Sequence, residues 1–156
     1  MTKITHSAQQ TEAVGRAFSR ILNEKDVVVL EGVLGGGKTT FVKGVLKGLK
    51  IHQRAQSPSF TLMRQYQNRK IRIYHIDLYR ITPHQAFDVG LLDYLYAPKS
   101  AALIEWGDKI KNYLPSYIAI SFSFQGVDSR RIAFSFQEYD KKRYSLLMKN
   151  VGRIGD

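Results

Sequence analysis

A chain of 156 residues, 44% of them hydrophobic, is bounded to a single domain with a buried core and is not a disordered segment. It has no cysteine, which excludes disulfides, thiolate metal sites and cysteine nucleophiles together and is compatible with a reducing compartment. Its 24 Lys and Arg against 13 Asp and Glu leave a formal charge of +11, which fits a partner bearing phosphates or an acidic face, or a basic surface that serves solubility.

In chain order, Met1-Thr2-Lys3-Ile4 lacks the apolar segment of a signal peptide, and no later stretch approaches membrane-spanning length. A cytoplasmic protein without membrane attachment is expected. Ser7-Ala8-Gln9-Gln10 reads as a capping box that opens a helix, with Val14, Phe18, Ile21 and Leu22 as its apolar stripe. Val27-Val28-Val29-Leu30 reads as a buried strand. A helix follows from Thr39 to about Leu49, with Phe41, Val42, Val45, Leu46 and Leu49 on one face. Ser57-Pro58-Ser59 is a turn, and residues 60–67 and 70–77 read as an antiparallel hairpin linked by Asn68-Arg69. Thr82-Pro83-His84-Gln85 has the cap, the N1 proline and the third-position Gln of a short helix that ends near Gly90. Residues 101–105 form another buried strand, and a short helical or loop stretch closes at Pro115. Residues 117–125 alternate, with Ile118, Ile120, Phe122 and Phe124 on one face. After the turn Gly126-Val127-Asp128-Ser129, residues 130–137 return with Ile132, Phe134 and Phe136 on one face. The pattern predicts an α/β fold, a single domain over residues 1–140 with a parallel core sheet, added antiparallel strands and flanking helices. Residues 141–156 read as a tail with a short helix and a frayed end.

Between the strand and helix over residues 27–49 lies Gly32-Val33-Leu34-Gly35-Gly36-Gly37-Lys38-Thr39, the Gly-x4-Gly-Lys-Thr pattern of a phosphate-binding loop. Glycines let the backbone curl with its N–H groups turned inward at an anion, and the following helix N-terminus adds partial positive charge. Lys38 is placed to reach the outer phosphates, and the Thr39 hydroxyl to hold Mg²⁺. A Mg²⁺–nucleotide site also needs acids at strand ends, and the apolar strands deliver two, Asp77 and Glu105. One would bind Mg²⁺ directly or through water, the other would orient the attacking water; the plainer reading of either is a loop carboxylate. Ser57, Ser59 and Thr61 form a candidate switch segment, against simple turn chemistry around Pro58. Trp106 reads as a core or interface residue, and His75 as structural. With no Asn-Lys-x-Asp segment, guanine recognition has no support and adenine is favoured by elimination.

These segments resemble the TsaE (YjeE) family of small P-loop ATPases of tRNA threonylcarbamoyladenosine biosynthesis. The resemblance covers roughly residues 7–131 and rests on the loop itself, Ser57-Pro58-Ser59-Phe60-Thr61-Leu62, Tyr74-His75-Ile76-Asp77-Leu78-Tyr79-Arg80, Gly90-Leu91 with Tyr94-Leu95, and Leu103-Ile104-Glu105-Trp106. The His75-Ile76-Asp77-Leu78-Tyr79-Arg80 and Ile104-Glu105-Trp106 segments are far more specific than the loop. The resemblance implies ATP and Mg²⁺ as cofactors. It places the backbone of Gly32, Leu34, Gly35, Gly36 and Gly37, with Lys38, Thr39 and Thr40, on the phosphates. It places Thr39, Glu105 and Asp77 on the metal side, Ser59 or Thr61 as a switch hydroxyl, and Arg130 near the nucleotide. It implies slow ATP hydrolysis that resets a two-protein threonylcarbamoyl transferase complex, with tRNA met directly or through that complex. The family usually has Asp where Val33 stands and commonly Thr where Ser59 stands, so the hydroxyl is kept and one loop carboxylate is lost. The rival readings are a small phosphotransferase and a nucleotide-gated RNA- or protein-binding module.

Overall fold

The computed structural model describes residues 1–136 and 141–152. Gln137, the expected division at residue 140 and the end of the tail at 153–156 lie outside the described residues. Seven strands form one mixed sheet, β1 (Thr2–Thr5), β2 (Val27–Gly32), β3 (Met63–Gln67), β4 (Arg72–Asp77), β5 (Ser100–Glu105), β6 (Ile118–Phe124) and β7 (Arg130–Phe136). Their order is β1-β7-β6-β2-β5-β4-β3. The parallel core is β6-β2-β5-β4, and β3, β7 and β1 pair antiparallel at its edges. The expected α/β architecture with added antiparallel strands is what forms.

Period-two alternation divides the core. Val28 and Leu30 of β2 and Ala101 and Leu103 of β5 face one helical layer, where they meet Phe18, Phe41, Val45 and Leu46. Val27, Val29, Ala102 and Ile104 face the other layer, with Leu91, Leu95 and Ile110. Strands buried on both faces read as continuous apolar runs, which is why Val27–Leu30 was conspicuous. The first layer holds α1 (Ala8–Phe18), α2 (Lys38–Gly48) and α5 (Lys141–Gly152); Leu147 and Val151 of α5 are fully buried there. The second holds α3 (Pro83–Asp88), α4 (Leu91–Leu95) and a 3₁₀ helix over Gly107–Tyr113.

Several boundaries differ from expectation. β1 was not anticipated, because four residues are too few to show alternation; it adds an edge strand against β7. The first hairpin strand starts at Met63, since residues 59–62 form a turn in which Leu62 takes a positive φ of 64°. The α1 cap is only half a capping box. The Ser7 hydroxyl accepts from Gln10 N, but the Gln10 side chain accepts from His6 N, one residue outside the cap. At α3 both halves form on Thr82 and Gln85. Ile21 and Leu22 lie beyond α1 yet are buried, and Phe124 ends its strand outside the core, 51% exposed.

α1 and α2 pack with backbone nearly touching backbone, and this clamps the helix that opens on the loop. A Cβ on Gly44 would stand 2.0 Å from the Glu12 carbonyl oxygen. Gly44→Ala is therefore expected to cost about 1–3 kcal/mol of stability through overpacking, read as a lowered urea midpoint with the slope unchanged. An unaltered midpoint would show that α2 can move away freely.

Candidate functional site

The loop between β2 and α2 needs backbone that side chains resist. Gly32 has φ 117°, and a Cβ there would lie 2.0 Å from the Phe122 carbonyl oxygen of β6. Gly37, with φ 106°, caps α2 in the left-handed region and turns the helix N-terminus into the loop. Gly35 to Thr40 and Leu34 line a cleft closed on its other sides by Ser57, Ser59, Asp77, Tyr79, Glu105 and Trp106.

Lys38 is only 4% exposed and crosses the loop. Its ammonium donates to the carbonyl oxygens of Gly32 and Val33, both at 2.9 Å, and sits 4.2 Å from the centre of the Trp106 ring. Burial lowers the Lys38 pKa below its ordinary value, while the carboxylates of Glu105, Asp77 and Asp108 pull it back up.

Parallel pairing sets Asp77 of β4 directly beside Glu105 of β5, and Glu105 beside Leu30 of β2. Both acids therefore emerge at the carboxyl end of the core strands, next to the loop. Glu105 is 4% exposed, and its Oε1 accepts from the Thr39 hydroxyl at 2.8 Å and is 2.8 Å from His75 Nε2. A carboxylate partner requires the hydrogen on Nε2, so His75 holds Glu105 toward α2. Asp77 is fixed at both oxygens, accepting from the Ser59 hydroxyl at 2.6 Å and from Tyr79 N at 2.8 Å. Ser57 and Ser59 hydroxyls are 2.7 Å apart. Trp106 adopts φ 59°, rare for a residue of that size, with its backbone N–H donating to Leu30 O at 2.9 Å. Its ring stacks obliquely on Tyr79 at 5.0 Å, and Lys109 steadies that loop by donating to the carbonyls of Leu78, Tyr79 and Ile81.

The fold thus brings Leu34, Gly35, Gly36, Gly37, Lys38, Thr39, Thr40, Ser59, Asp77 and Glu105 into one cleft, with Gly32 at its base as an acceptor for Lys38. Two expected residues are not brought there. Thr61 is exposed in the turn before β3, where its N–H donates to Pro58 O. Arg130 lies at the same end of the sheet but on β7, donating to Val127 O and Ser129 O and covering the Phe124 ring at 4.3 Å. Trp106, read as core or interface, turns out to wall the cleft, and so does Tyr79, which the sequence offered only as part of a motif and not as a site residue. His75 was readable as a site residue: two positions before Asp77 on a strand, it shares that acid's face.

A parallel strand, a glycine loop gripped by its own lysine, and acids on neighbouring strand ends define a P-loop nucleoside triphosphatase type. The family model for "Threonylcarbamoyl adenosine biosynthesis protein TsaE" matches residues 5–132. This chain belongs to the TsaE family. It is 39% identical to the tRNA threonylcarbamoyladenosine biosynthesis protein TsaE of Treponema pallidum, over 85% of this chain and 98% of that one. It is 33% identical to the protein of the same name from Bacillus subtilis, over 96% of this chain and 92% of that one. The crystal structure of Bacillus subtilis YdiB superposes with a TM-score of 0.77 at 30% identity, covering 98% of this chain and 94% of that chain.

Proposed function

We propose that this chain is the Mg²⁺-dependent ATPase subunit of a tRNA threonylcarbamoyl transferase assembly, working in the cytoplasm on partner proteins that perform the transfer beside the anticodon. The observation that carries the chemistry is the hydrogen bond from Thr39, on the first turn of α2, to Glu105 on β5, beside the buried Lys38. The relatives' names supply the pathway. No described helix is long and apolar enough to cross a membrane.

The oxygen donors suit Mg²⁺. Among the described residues no group of three His, Cys, Asp or Glu could form a metal cage by itself. Mg²⁺ does not need one, since it takes one or two protein carboxylates and completes its shell with phosphates and water. Thr39 and Glu105 would hold it, with Asp77 acting through water because both its oxygens are already engaged. When bound, the ion neutralises charge on the β- and γ-phosphate oxygens. Lys38 supplies its ammonium to the outer phosphates, exchanging two backbone carbonyls for stronger anionic acceptors. Inward N–H groups of the loop and the α2 N-terminus stabilise charge as water attacks the γ-phosphate in line. Ser59, hydrogen-bonded to Asp77, couples the turn at residues 57–62 to the state of that phosphate. Leu34 and Tyr79 of the cleft lining are exposed, which leaves a surface for a partner to complete the site, and turnover alone is expected to be slow. Labelled ATP tests the reading: release of free phosphate without an acceptor, stimulated by the partner proteins, supports it, and transfer to an acceptor instead contradicts it.

The depressed Lys38 ammonium has two consequences of opposite sign. Only the charged form serves phosphate, so kcat/KM, which reports the free protein, should decline on the alkaline side at lower pH than an ordinary lysine allows. Below its folded pKa the ammonium is charged in both states and the burial cost is paid in full. Between that pKa and about 10.5 the unfolded chain holds the proton and the folded chain does not, so this group's contribution to stability improves with rising pH. Thermal midpoints of the ligand-free protein and of Lys38→Met should therefore converge as pH rises through that window; a constant gap would contradict a lowered pKa.

A further inference from the structure

Nine of the chain's 24 Lys and Arg line two grooves, which run toward the end of the sheet opposite the phosphate loop. One lies between α1, α2 and the segment after α2, and carries Arg16, Lys43, Lys47, Lys50 and Arg54. The other surrounds the tip of the β3–β4 hairpin and carries Arg69, Lys70, Arg72 and Lys99. They are joined: the Asn68 side-chain amide donates to Leu49 O at 2.7 Å, and Gln67 N donates to Gln53 Oε1 at 2.8 Å. Against nine cations the two linings hold one carboxylate, Glu12, which pairs with Lys47. This band therefore holds a surplus of eight charges out of the chain's +11.

Local structure explains only part of this. Lys47 and Lys50 gain from the helix dipole at the end of α2. Arg54, Arg69, Lys70 and Lys99 have no such reason to gather. Among the described residues none of Lys43, Lys50, Arg54, Arg69, Lys70 and Lys99 pairs with a carboxylate. Crowded like charges repel, and a polyanion relieves that repulsion.

We infer that this band binds the phosphate backbone of a folded RNA. The surroundings favour RNA over an acidic protein or an anionic membrane. Protein interfaces are anchored by aromatic side chains together with arginine, and membrane surfaces take inserted apolar ones. Among the described residues the exposed large hydrophobics, such as Leu34, Phe60, Tyr79 and Val127, all lie outside both grooves. Backbone contact with nucleic acid needs only cations set along a groove. Lys43 and Lys47 stand one turn apart, about 6 Å along α2, with Lys50 just past its end. The six residues of β4 separate the band from the cleft, since Arg72 begins the strand and Asp77 ends it. RNA held here would leave the nucleotide cleft open. Transfer RNA is the RNA to try because of the family to which the chain belongs, but the band owes nothing to ATP hydrolysis.

The test is anisotropy titration of a labelled, unmodified tRNA transcript with the full chain between 50 and 200 mM salt, the range over which phosphate contacts lose most affinity. The combined variant Lys43→Gln, Lys50→Gln, Arg69→Gln and Lys70→Gln should bind about tenfold or more weakly and flatten the log–log salt slope by about 3. Binding of fluorescent ATP should be unchanged in that variant, which shows it folded. Lys38→Ala should keep its RNA affinity, so failure of the ATPase reading and failure of this one are separable. Equal affinity and slope in wild type and variant would overturn the proposal. So would poly-glutamate or phosphatidylserine vesicles binding as tightly as RNA and being lost in the same variant.

Discussion

Lys38→Ala is expected to lower ATP turnover by roughly 10²–10³-fold, the loss seen when one preorganised charge donor is taken from a reacting centre. The side chain is buried, and it is the cation that spans the loop from α2 to the carbonyls of Gly32 and Val33. Its removal leaves those carbonyls at the open cleft, where water replaces the ammonium, so the fold should survive with a thermal midpoint close to wild type. ATP affinity should fall as well, because the ammonium meets phosphate in the ground state and in the transition state. Reconstituted tRNA modification should stop with it. Phosphate release within twofold of wild type, from a variant shown to be folded, would remove Lys38 from the chemistry.

Glu105→Gln asks a narrower question. One oxygen of Glu105 serves both Thr39 and His75, and the amide oxygen of Gln can take the same two donors. The variant changes charge and leaves shape nearly intact. The Mg²⁺ concentration for half-maximal turnover should rise about 10–100-fold, the range for losing support of a metal ligand. Maximal turnover should fall with it, because Glu105 is also the leading carboxylate that favours the charged form of Lys38. The alkaline limb of the pH profile should therefore move further toward neutrality than in wild type. A Mg²⁺ titration and a pH profile both unchanged would mean that Glu105 only holds Thr39 in place.

Most of this cleft is legible before any folding is known, because its parts are local. The loop pattern, the apolar run before it and the amphipathic helix after it lie within residues 27–49. Asp77 and Glu105 stand out as acids that end apolar strands. What could not be read were relations between distant segments. Trp106 looked like a core residue because nothing local reports that a left-handed backbone turns its ring under Lys38. Thr61 and Ser59 sit two residues apart in one turn, and only the fold shows that Ser59 reaches Asp77 while Thr61 faces solvent. Arg130 lies at the same end of the sheet as the loop but is occupied by its own turn and by Phe124. The basic band is the same kind of case: its charges come from four separate stretches, of which only Arg69-Lys70-Ile71-Arg72 is dense in sequence.

The sequence by itself determined the P-loop class, since a Gly-x4-Gly-Lys-Thr loop between a buried strand and a helix start is encoded by neighbours along the chain. It also determined the α/β class, with a parallel core sheet, added antiparallel strands and flanking helices, because periods of two and of 3.6 are local properties. The tertiary structure decided which carboxylate meets Thr39, which aromatic rings wall the cleft and where the cations collect. Strand order and register are set by burial of both sheet faces at once, so they depend on residues far apart in sequence and leave no local trace.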